Sequence, residues 1–228
     1  MSDPLVAAVC LVSGNRPEML ARAIASYNAQ TYSRRILVSW PGNTGKTIGR
    51  LRNEAAEAVD ADIICHFDDD DWSHPNRIAE QVALLQSSGA DAVGYREVMF
   101  WDRNAGKMRM EGGALYSVPT SDAGEAWLFT HPSPTWCHGA SLCYWRSTWE
   151  RKPFPDLMQG EDLVWQAGLK RAAEPATCLR DGDEAFCDPR LICGLHGGNT
   201  SARIVAGAPE WKRAAGWDAR VREIMEAK

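Results

Sequence analysis

The stretch Asp62-Ile63-Ile64-Cys65-His66-Phe67-Asp68-Asp69-Asp70-Asp71 decides how the chain folds. Residues 62–67 read as a buried strand, and that strand runs straight into four carboxylates. In open α/β sheets, ligands bind beyond the carboxyl ends of the strands, so the acidic turn sits where a site is expected. Four adjacent carboxylates repel one another and raise each other's proton affinity unless a cation offsets the charge. Hard oxygen donors favour magnesium, manganese or calcium over zinc. Alternate residues of an extended segment point the same way, which pairs Asp68 with Asp70. The plainer reading of these residues is a solvated acidic turn.

The charge balance isolates this spot. The 228 residues carry 30 acidic and 25 basic side chains, a net charge of -5, and setting the four aspartates aside leaves 26 against 25. A nearly neutral remainder argues against a nucleic-acid partner, which needs a basic surface to displace counterions. A hydrophobic share of 45% and a charged share of 24% fit a packed domain and exclude disorder, collagen-like repeats and coiled coil. Met1-Ser2-Asp3-Pro4 has no basic residue ahead of the apolar stretch, so no signal peptide is expected. The longest uncharged run, Ala126 to Trp145, holds Pro132 and Pro134 and makes a poor membrane span. The seven cysteines are odd in number and form no CxxC pair, which speaks against disulfide staples and structural zinc. Cys10 and Cys65 lie in apolar runs and read as buried small hydrophobes. These features together predict a reduced, cytoplasmic protein.

Around the acidic turn, strand and helix patterns alternate. Leu5 to Val12 is an apolar run ending at Ser13-Gly14-Asn15, and a helix follows with Pro17 in its first turn. Arg35 to Trp40 reads as a second strand, Ile48 to Val59 as a second helix, and a third helix starts near His74-Pro75. Asp91 to Trp101 reads as one further strand. This order predicts a mostly parallel sheet with right-handed crossovers. The remainder is less regular: short strands and loops over 103–145, a helix from Gly160 to Ala172, a strand at Leu191 to Leu195, and an amphipathic helix from Pro209 onward.

Three other groups carry chemistry. Glu161-Asp162 follows Gly160 at a predicted helix start, where acidic residues are favoured by the helix dipole whatever else they do. His196 lies in Gly194-Leu195-His196-Gly197-Gly198-Asn199, whose glycines let the backbone approach a neighbour closely. Pro41-Gly42-Asn43-Thr44-Gly45-Lys46-Thr47 resembles a phosphate-binding P-loop, but Trp40 stands where its first glycine belongs. The ten tryptophans are a heavy load; core packing accounts for most, and Trp72 and Trp136 are the expected site-lining pair.

Taken in order, these segments resemble family 2 glycosyltransferases of the GT-A fold over about residues 5–200. The resemblance rests on Val9 to Leu20 with Asn15-Arg16, on Gln30-Thr31-Tyr32 and on Arg52-Asn53. It continues through Ile63 to Trp72 with Pro75 and Arg77 as the DxD segment, Gly139-Ala140-Ser141 with Tyr144 and Arg146, and Gly160-Glu161-Asp162 as the "ED" motif. It departs from the family at Ser39-Trp40-Pro41-Gly42, where an aspartate usually contacts the nucleotide base, and it lacks the Q-x-x-R-W motif of processive synthases.

The resemblance implies an α/β fold: a Rossmann-like, mixed and mostly parallel sheet flanked by helices, in a single domain over 1–228. Residues 5–102 would form the nucleotide-sugar half, 103–200 the acceptor and catalytic half, and 207–228 a C-terminal helix. It implies a metal-dependent, inverting glycosyltransferase, with Asp162 as base and Glu161 assisting. Asn15, Arg16, Trp40, Arg52, Asp68 and Asp69 would bind the donor, with Trp40 stacking on the base. Asp70, Asp68 and His196 would hold Mn2+ or Mg2+. Trp72, Trp136, Gly139 and Ala140 would line the site of an acceptor that is a glycan, lipid, peptide or small molecule. A catalytically silent nucleotide-sugar or glycan-binding module, a nucleotidyltransferase and a P-loop-like NTPase are the alternatives. Oligomeric state is not readable from these features.

Overall fold

The computed structural model describes residues 3–42, 44–102, 106–111, 114–119, 124–174, 189–195 and 208–226. Its first sheet grows outward from β1 (Val6–Val12), whose seven residues alternate between two cores. Val6, Ala8 and Cys10 face the core shared with Tyr27, Ile78, Val82 and Leu85, while Ala7 and Val9 face Ala55, Ala56, Val59 and Trp165. Coverage on both faces is why the run is apolar throughout rather than alternating.

From β1 the chain passes through α1 (Pro17–Asn28), β2 (Arg35–Pro41), α2 (Ile48–Glu57), β3 (Ile63–His66), β4 (Trp72–Ser73), α3 (Arg77–Ser88) and β5 (Ala92–Tyr95). Helix α1 begins on Pro17, whose ring presets the first turn. Helix α2 is capped by Thr47, whose hydroxyl accepts from the Arg50 amide at 3.2 Å. Helix α3 stops at Gly89, which takes the left-handed conformation at φ 58°.

Next come β6 (Glu97–Asp102), β7 (Gly106–Glu111), β8 (Ala114–Pro119), β9 (Glu125–Thr130), β10 (Cys143–Trp145), α4 (Arg146–Arg151), α5 (Glu161–Gln166), β11 (Arg171–Glu174), β12 (Leu191–Leu195), β13 (Trp211–Arg213) and α6 (Asp218–Glu226). The first sheet has the order β11-β5-β10-β3-β1-β2, with β10 alone antiparallel to its neighbours. The mixed, mostly parallel sheet expected from the sequence is therefore present. A second sheet, β13-β9-β6-β12-β4, stands beside it, and β7 and β8 form a hairpin of their own.

Three expectations need correction. The single strand expected over Asp91 to Trp101 is two strands in different sheets, β5 and β6, divided at Arg96. Arg96 is held there by its carbonyl accepting from the His131 amide at 3.1 Å and its Nε donating to the His131 carbonyl at 2.7 Å. The helix expected from Gly160 to Ala172 ends at Gln166, because Gly168 turns the chain at φ 80° into β11. The C-terminal helix begins at Asp218 rather than at Pro209. Trp211, expected on that helix, lies instead in β13 opposite Phe129, with ring centroids 5.0 Å apart. Val221 and Met225 do pack inward, against Met99, Trp101 and Ile192.

The five described cysteines, Cys10, Cys65, Cys137, Cys143 and Cys193, are free and buried. Cys178, Cys187 and His196 lie outside the described residues. No described helix is long and apolar enough to cross a membrane.

Candidate functional site

The acidic turn leaves the carboxyl end of β3, and its four carboxylates have different surroundings. Asp69 faces inward and is 2% exposed. Its Oδ2 accepts from the Ser13 amide at 2.8 Å and the Ser13 hydroxyl at 2.7 Å, and its Oδ1 accepts from Arg16 Nη2 at 2.6 Å. It thus fastens the turn after β1 to the turn after β3. Asp71 is also buried, and its Oδ1 accepts from the Gly194 amide at 3.2 Å while Cys193 Sγ lies 3.2 Å from Oδ2. Burial, and then the charges of Asp70 and Asp68, push the Asp71 carboxyl well above the usual carboxylate range, against the pull of those two bonds.

Asp68 and Asp70, expected to alternate along an extended segment, instead lie in a turn in which the Asp71 amide donates to the Asp68 carbonyl at 3.4 Å. Asp70 Oδ2 accepts from Arg16 Nη1 at 2.8 Å, and its backbone carbonyl accepts from Arg22 Nη2 at 3.1 Å. Strand β12 presses on the same carbonyl: a Cβ on Gly194 would lie 2.6 Å from Asp70 O, so only glycine fits. Asp68 is half-buried, and desolvation pushes its carboxyl up to about 6, with Arg52 opposing the shift and Asp70 and Asp69 adding to it.

Arg52 connects this turn to the predicted ED motif. It projects from α2 into the interior, 7% exposed, where Nε donates to Glu161 Oε1 at 3.1 Å. Burial alone would lower its pKa, but Glu161, Asp68 and Asp162 together outweigh that and hold it above the ordinary value. Arg52 Nη1 and the Gly139 carbonyl each lie 2.8 Å from His66 Nδ1, and burial, then the nearby guanidinium, keeps the His66 ring neutral.

Asp162 stands in the first turn of α5, behind Gly160 at φ 74°. Its carboxylate lies against the 3-10 turn Gly139–Ser141, where a Cβ on Gly139 would come within 2.4 Å of Asp162 Oδ2. The turn is set by Arg77, fully buried, which donates to the Ala140 carbonyl at 2.9 Å and to the His66 carbonyl at 2.7 Å. Asp68, Arg52, Glu161, Asp162 and Gly139 therefore converge, although they come from four separate stretches of chain.

The other expected site residues divide. Arg16 is at the acidic turn, and Asn15 is exposed beside it in the turn after β1. Trp40 is half-buried and packs with Leu11 and Val38 against the α2-side core. Ala140 is buried, with its carbonyl taken by Arg77. Trp136 stacks on His131 at 4.1 Å, whereas Trp72 packs edge-on to His74 at the border of the second sheet. Among the described residues no ring contact joins these two tryptophans. Lys46, the lysine of the P-loop-like segment, is paired with Glu54 at 2.8 Å on the exposed side of α2.

Sequence reading passed over Ser13, His66 and His138. His138 precedes Gly139, its Nδ1 is buried without a hydrogen-bond partner, and burial lowers its pKa to about 4, with Asp162 opposing. Its position next to a glycine in the Gly139-Ala140-Ser141 segment was the available signal.

Among the described residues no group of three or more His, Cys, Asp and Glu could by itself hold a metal ion. The donors nonetheless fit a magnesium-like cation. Such ions are held through one or two carboxylates plus substrate phosphates rather than by an all-protein cage; Asp68 and Asp70 are two carboxylates of this turn, and Asp70 is bonded to Arg16.

Residues 9–137 match the family model described as glycosyl transferase family 2. The structure of S. aureus TarS 1-349 in complex with UDP-GlcNAc is similar in fold, with a TM-score of 0.52, 14% identity, and coverage of 88% of this chain and 61% of that one. The TarS 1-349 complex with UDP has a TM-score of 0.49 and 13% identity, covering 84% of this chain and 60% of that one. The chain thus spans about 60% of the length of these TarS 1-349 structures. No curated protein sequence matches it.

Proposed function

The chain belongs to glycosyl transferase family 2, and from that membership we propose that it moves a sugar from a nucleotide-sugar donor to an acceptor hydroxyl with inversion. The observation that carries this reading is the convergence on Arg52 of the acidic turn and the ED segment: Glu161 bonds to it directly, and the charges of Asp68 and Asp162 both act on it. A carboxylate of the acidic turn and a candidate base thus both lie within electrostatic reach of one buried cation.

Asp162 takes the proton from the acceptor hydroxyl as the oxygen attacks the anomeric carbon from the face opposite the diphosphate. It stands at the start of α5 with its carboxylate against Gly139, so a side chain there would displace it. Glu161 is spent on Arg52, so it orients α5 rather than touching the acceptor. Arg52 likewise acts by positioning, because its guanidinium is buried between Glu161 and His66. Asp70 and Asp68 would hold a divalent cation, Mn2+ or Mg2+, which supplies positive charge to the departing diphosphate when bound. Trp136 and the neighbouring 3-10 turn form the acceptor wall.

The test is release of nucleoside diphosphate from a panel of nucleotide sugars with manganese present. UDP-GlcNAc, named in a TarS complex, heads the panel. Release from at least one donor, lost in Asp162→Asn while UDP still binds, supports the reading. Binding without turnover in the unaltered protein, across donors and simple hydroxyl acceptors, would leave only a nucleotide-sugar-binding module.

A further inference from the structure

Strands β3 and β10 run antiparallel, and two hydrogen bonds mark their register. The Arg146 amide donates to the Asp62 carbonyl at 2.9 Å, and the His66 amide donates to the Leu142 carbonyl at 2.8 Å. In an antiparallel ladder, hydrogen-bonded and non-hydrogen-bonded residue pairs alternate along the strands. With bonds at Asp62 opposite Arg146 and at His66 opposite Leu142, Cys65 and Cys143 face each other at a non-hydrogen-bonded position. Such pairs hold their Cα atoms about 4.5 Å apart and bring their side chains closer than bonded pairs do. A disulfide needs Cα atoms about 4.4–6.8 Å apart, so the ladder itself supplies the spacing.

The side chains complete the arrangement. Both cysteines belong to the core that holds Val6, Ala8, Phe67 and Ile78, and both are fully buried. Cys65 Sγ lies 2.7 Å from Cys143 Sγ. That is inside the contact distance of two unbonded sulfurs and outside the ~2.05 Å of an S–S bond. The other described cysteines are placed differently: Cys10 shares this core, Cys137 lies in the core across the sheet, and Cys193 faces Asp71. Burial, and then the hydrogen bond from Cys65, push the Cys143 thiol well above its ordinary value, so the folded pair is kept as thiols rather than thiolates.

We propose that Cys65 and Cys143 are a cross-linking site, closing as a disulfide between β3 and β10 when the chain folds in the presence of a small-molecule disulfide. One cysteine thiolate attacks the small disulfide, a mixed disulfide forms, and one small thiol leaves. The second cysteine gives its proton to solvent and attacks the protein sulfur of that mixed disulfide, and the second small thiol leaves. Two protein thiols are thereby oxidised, and one small disulfide is reduced to two thiols. Because the sulfurs are shut off from solvent in the finished fold, exchange takes place before the core closes, and the closed core then shields the bond from outside thiols. The bond ties the strand that ends in the acidic turn to the strand that follows the Gly139–Ser141 turn. Its ends are 78 residues apart, so it restricts the unfolded chain over a long loop.

The test is refolding of the full chain from urea and reductant into glutathione buffers that run from reducing to oxidising, with circular dichroism to confirm the fold. Acid quenching, alkylation and peptide mass spectrometry then locate every bond. In oxidising buffer the dominant linked species should join Cys65 to Cys143, lighter than the two free peptides by two hydrogens, with Cys10, Cys137 and Cys193 alkylated. The oxidised protein should unfold at a urea concentration about 1 M above the reduced protein. Cys65→Ala should abolish that difference, and Cys143→Ala takes its place if the first variant does not fold. Cys65 and Cys143 both alkylated in every buffer that restores the fold would overturn the inference. So would Cys65 linked mainly to another cysteine or to glutathione, or a linked pair found only in misfolded protein. An unchanged urea midpoint in the linked protein would overturn it as well, since the bond would then not belong to the native sheet.

Discussion

Arg52 and Glu161 form a buried ion pair, Nε to Oε1 at 3.1 Å, that joins the second helix to the start of α5. Their side chains are only 8% and 6% exposed, so each depends on the other for its charge to be tolerated. Arg52→Met should therefore destabilise the fold by about 3–5 kcal/mol, the range for stranding one member of a buried pair. Replacing both, as Arg52→Met with Glu161→Met, should recover most of that loss. Urea denaturation measures both; a double variant no more stable than the single one would show that the pair is not the reason.

Gly139 tests the alignment of the candidate base. A methyl group there would meet Asp162 Oδ2 at 2.4 Å and Cγ at 2.9 Å, so the carboxylate must shift. Gly139→Ala should lower turnover on the order of 100-fold, as small displacements of a reacting group do. Diphosphate affinity should stay within about threefold, since no donor contact is altered. Normal turnover would place the base elsewhere.

Lys46 discriminates between two kinds of phosphate site. It is paired with Glu54 on the exposed side of α2. Lys46→Ala should leave UDP affinity within about twofold, whereas a P-loop lysine would be essential to phosphate binding. A large loss in isothermal titration would revive the P-loop reading.

Histidine burial sets an acid limb on stability. The folded-state pKa of His138 is lowered to about 4, and that of His66 is lowered well below its ordinary value. Above about pH 6.5 both the folded and unfolded imidazoles are neutral and the groups contribute no pH dependence. As pH falls below that value the unfolded chain binds protons that the folded one excludes, so stability drops by about 1.4 kcal/mol per pH unit for each histidine. His138→Phe should flatten the slope between about pH 6.5 and the folded-state value of about 4 by one proton's worth. An unchanged slope in urea titrations across that window would show that His138 is protonated when folded.

Much of the first sheet was legible because its rules are local. The run from Val6 to Val12, Pro17 opening α1 and the apolar stretch ending in the acidic turn each carry their own signal. The break at Arg96 was not, because residues on both sides are equally apolar and only their partners differ: Val93 packs in one core and Val98 in another. Strand β13 was hidden for a similar reason, since Trp211 fits a helical stripe as well as a place opposite Phe129. At the site, the address of the aspartates was readable but their division of labour was not. Asp69 turns to Ser13 on the β1 turn, and Asp71 turns to Cys193 and Gly194 on β12, partners far away in sequence. Arg52, expected at the donor, is bonded to Glu161, a partner 109 residues away in sequence.

The central claim is that Asp162 is the base of a sugar transfer from a nucleotide-bound donor. The most direct measurement is the rate of UDP release from UDP-GlcNAc and other nucleotide sugars by the unaltered protein and by Asp162→Asn, alongside the affinity of each for UDP. The account predicts at least a 1,000-fold loss of turnover, of the order seen for essential catalytic groups, with UDP affinity within about threefold, since the base touches the acceptor rather than the nucleotide. Turnover by Asp162→Asn at the unaltered rate would contradict it.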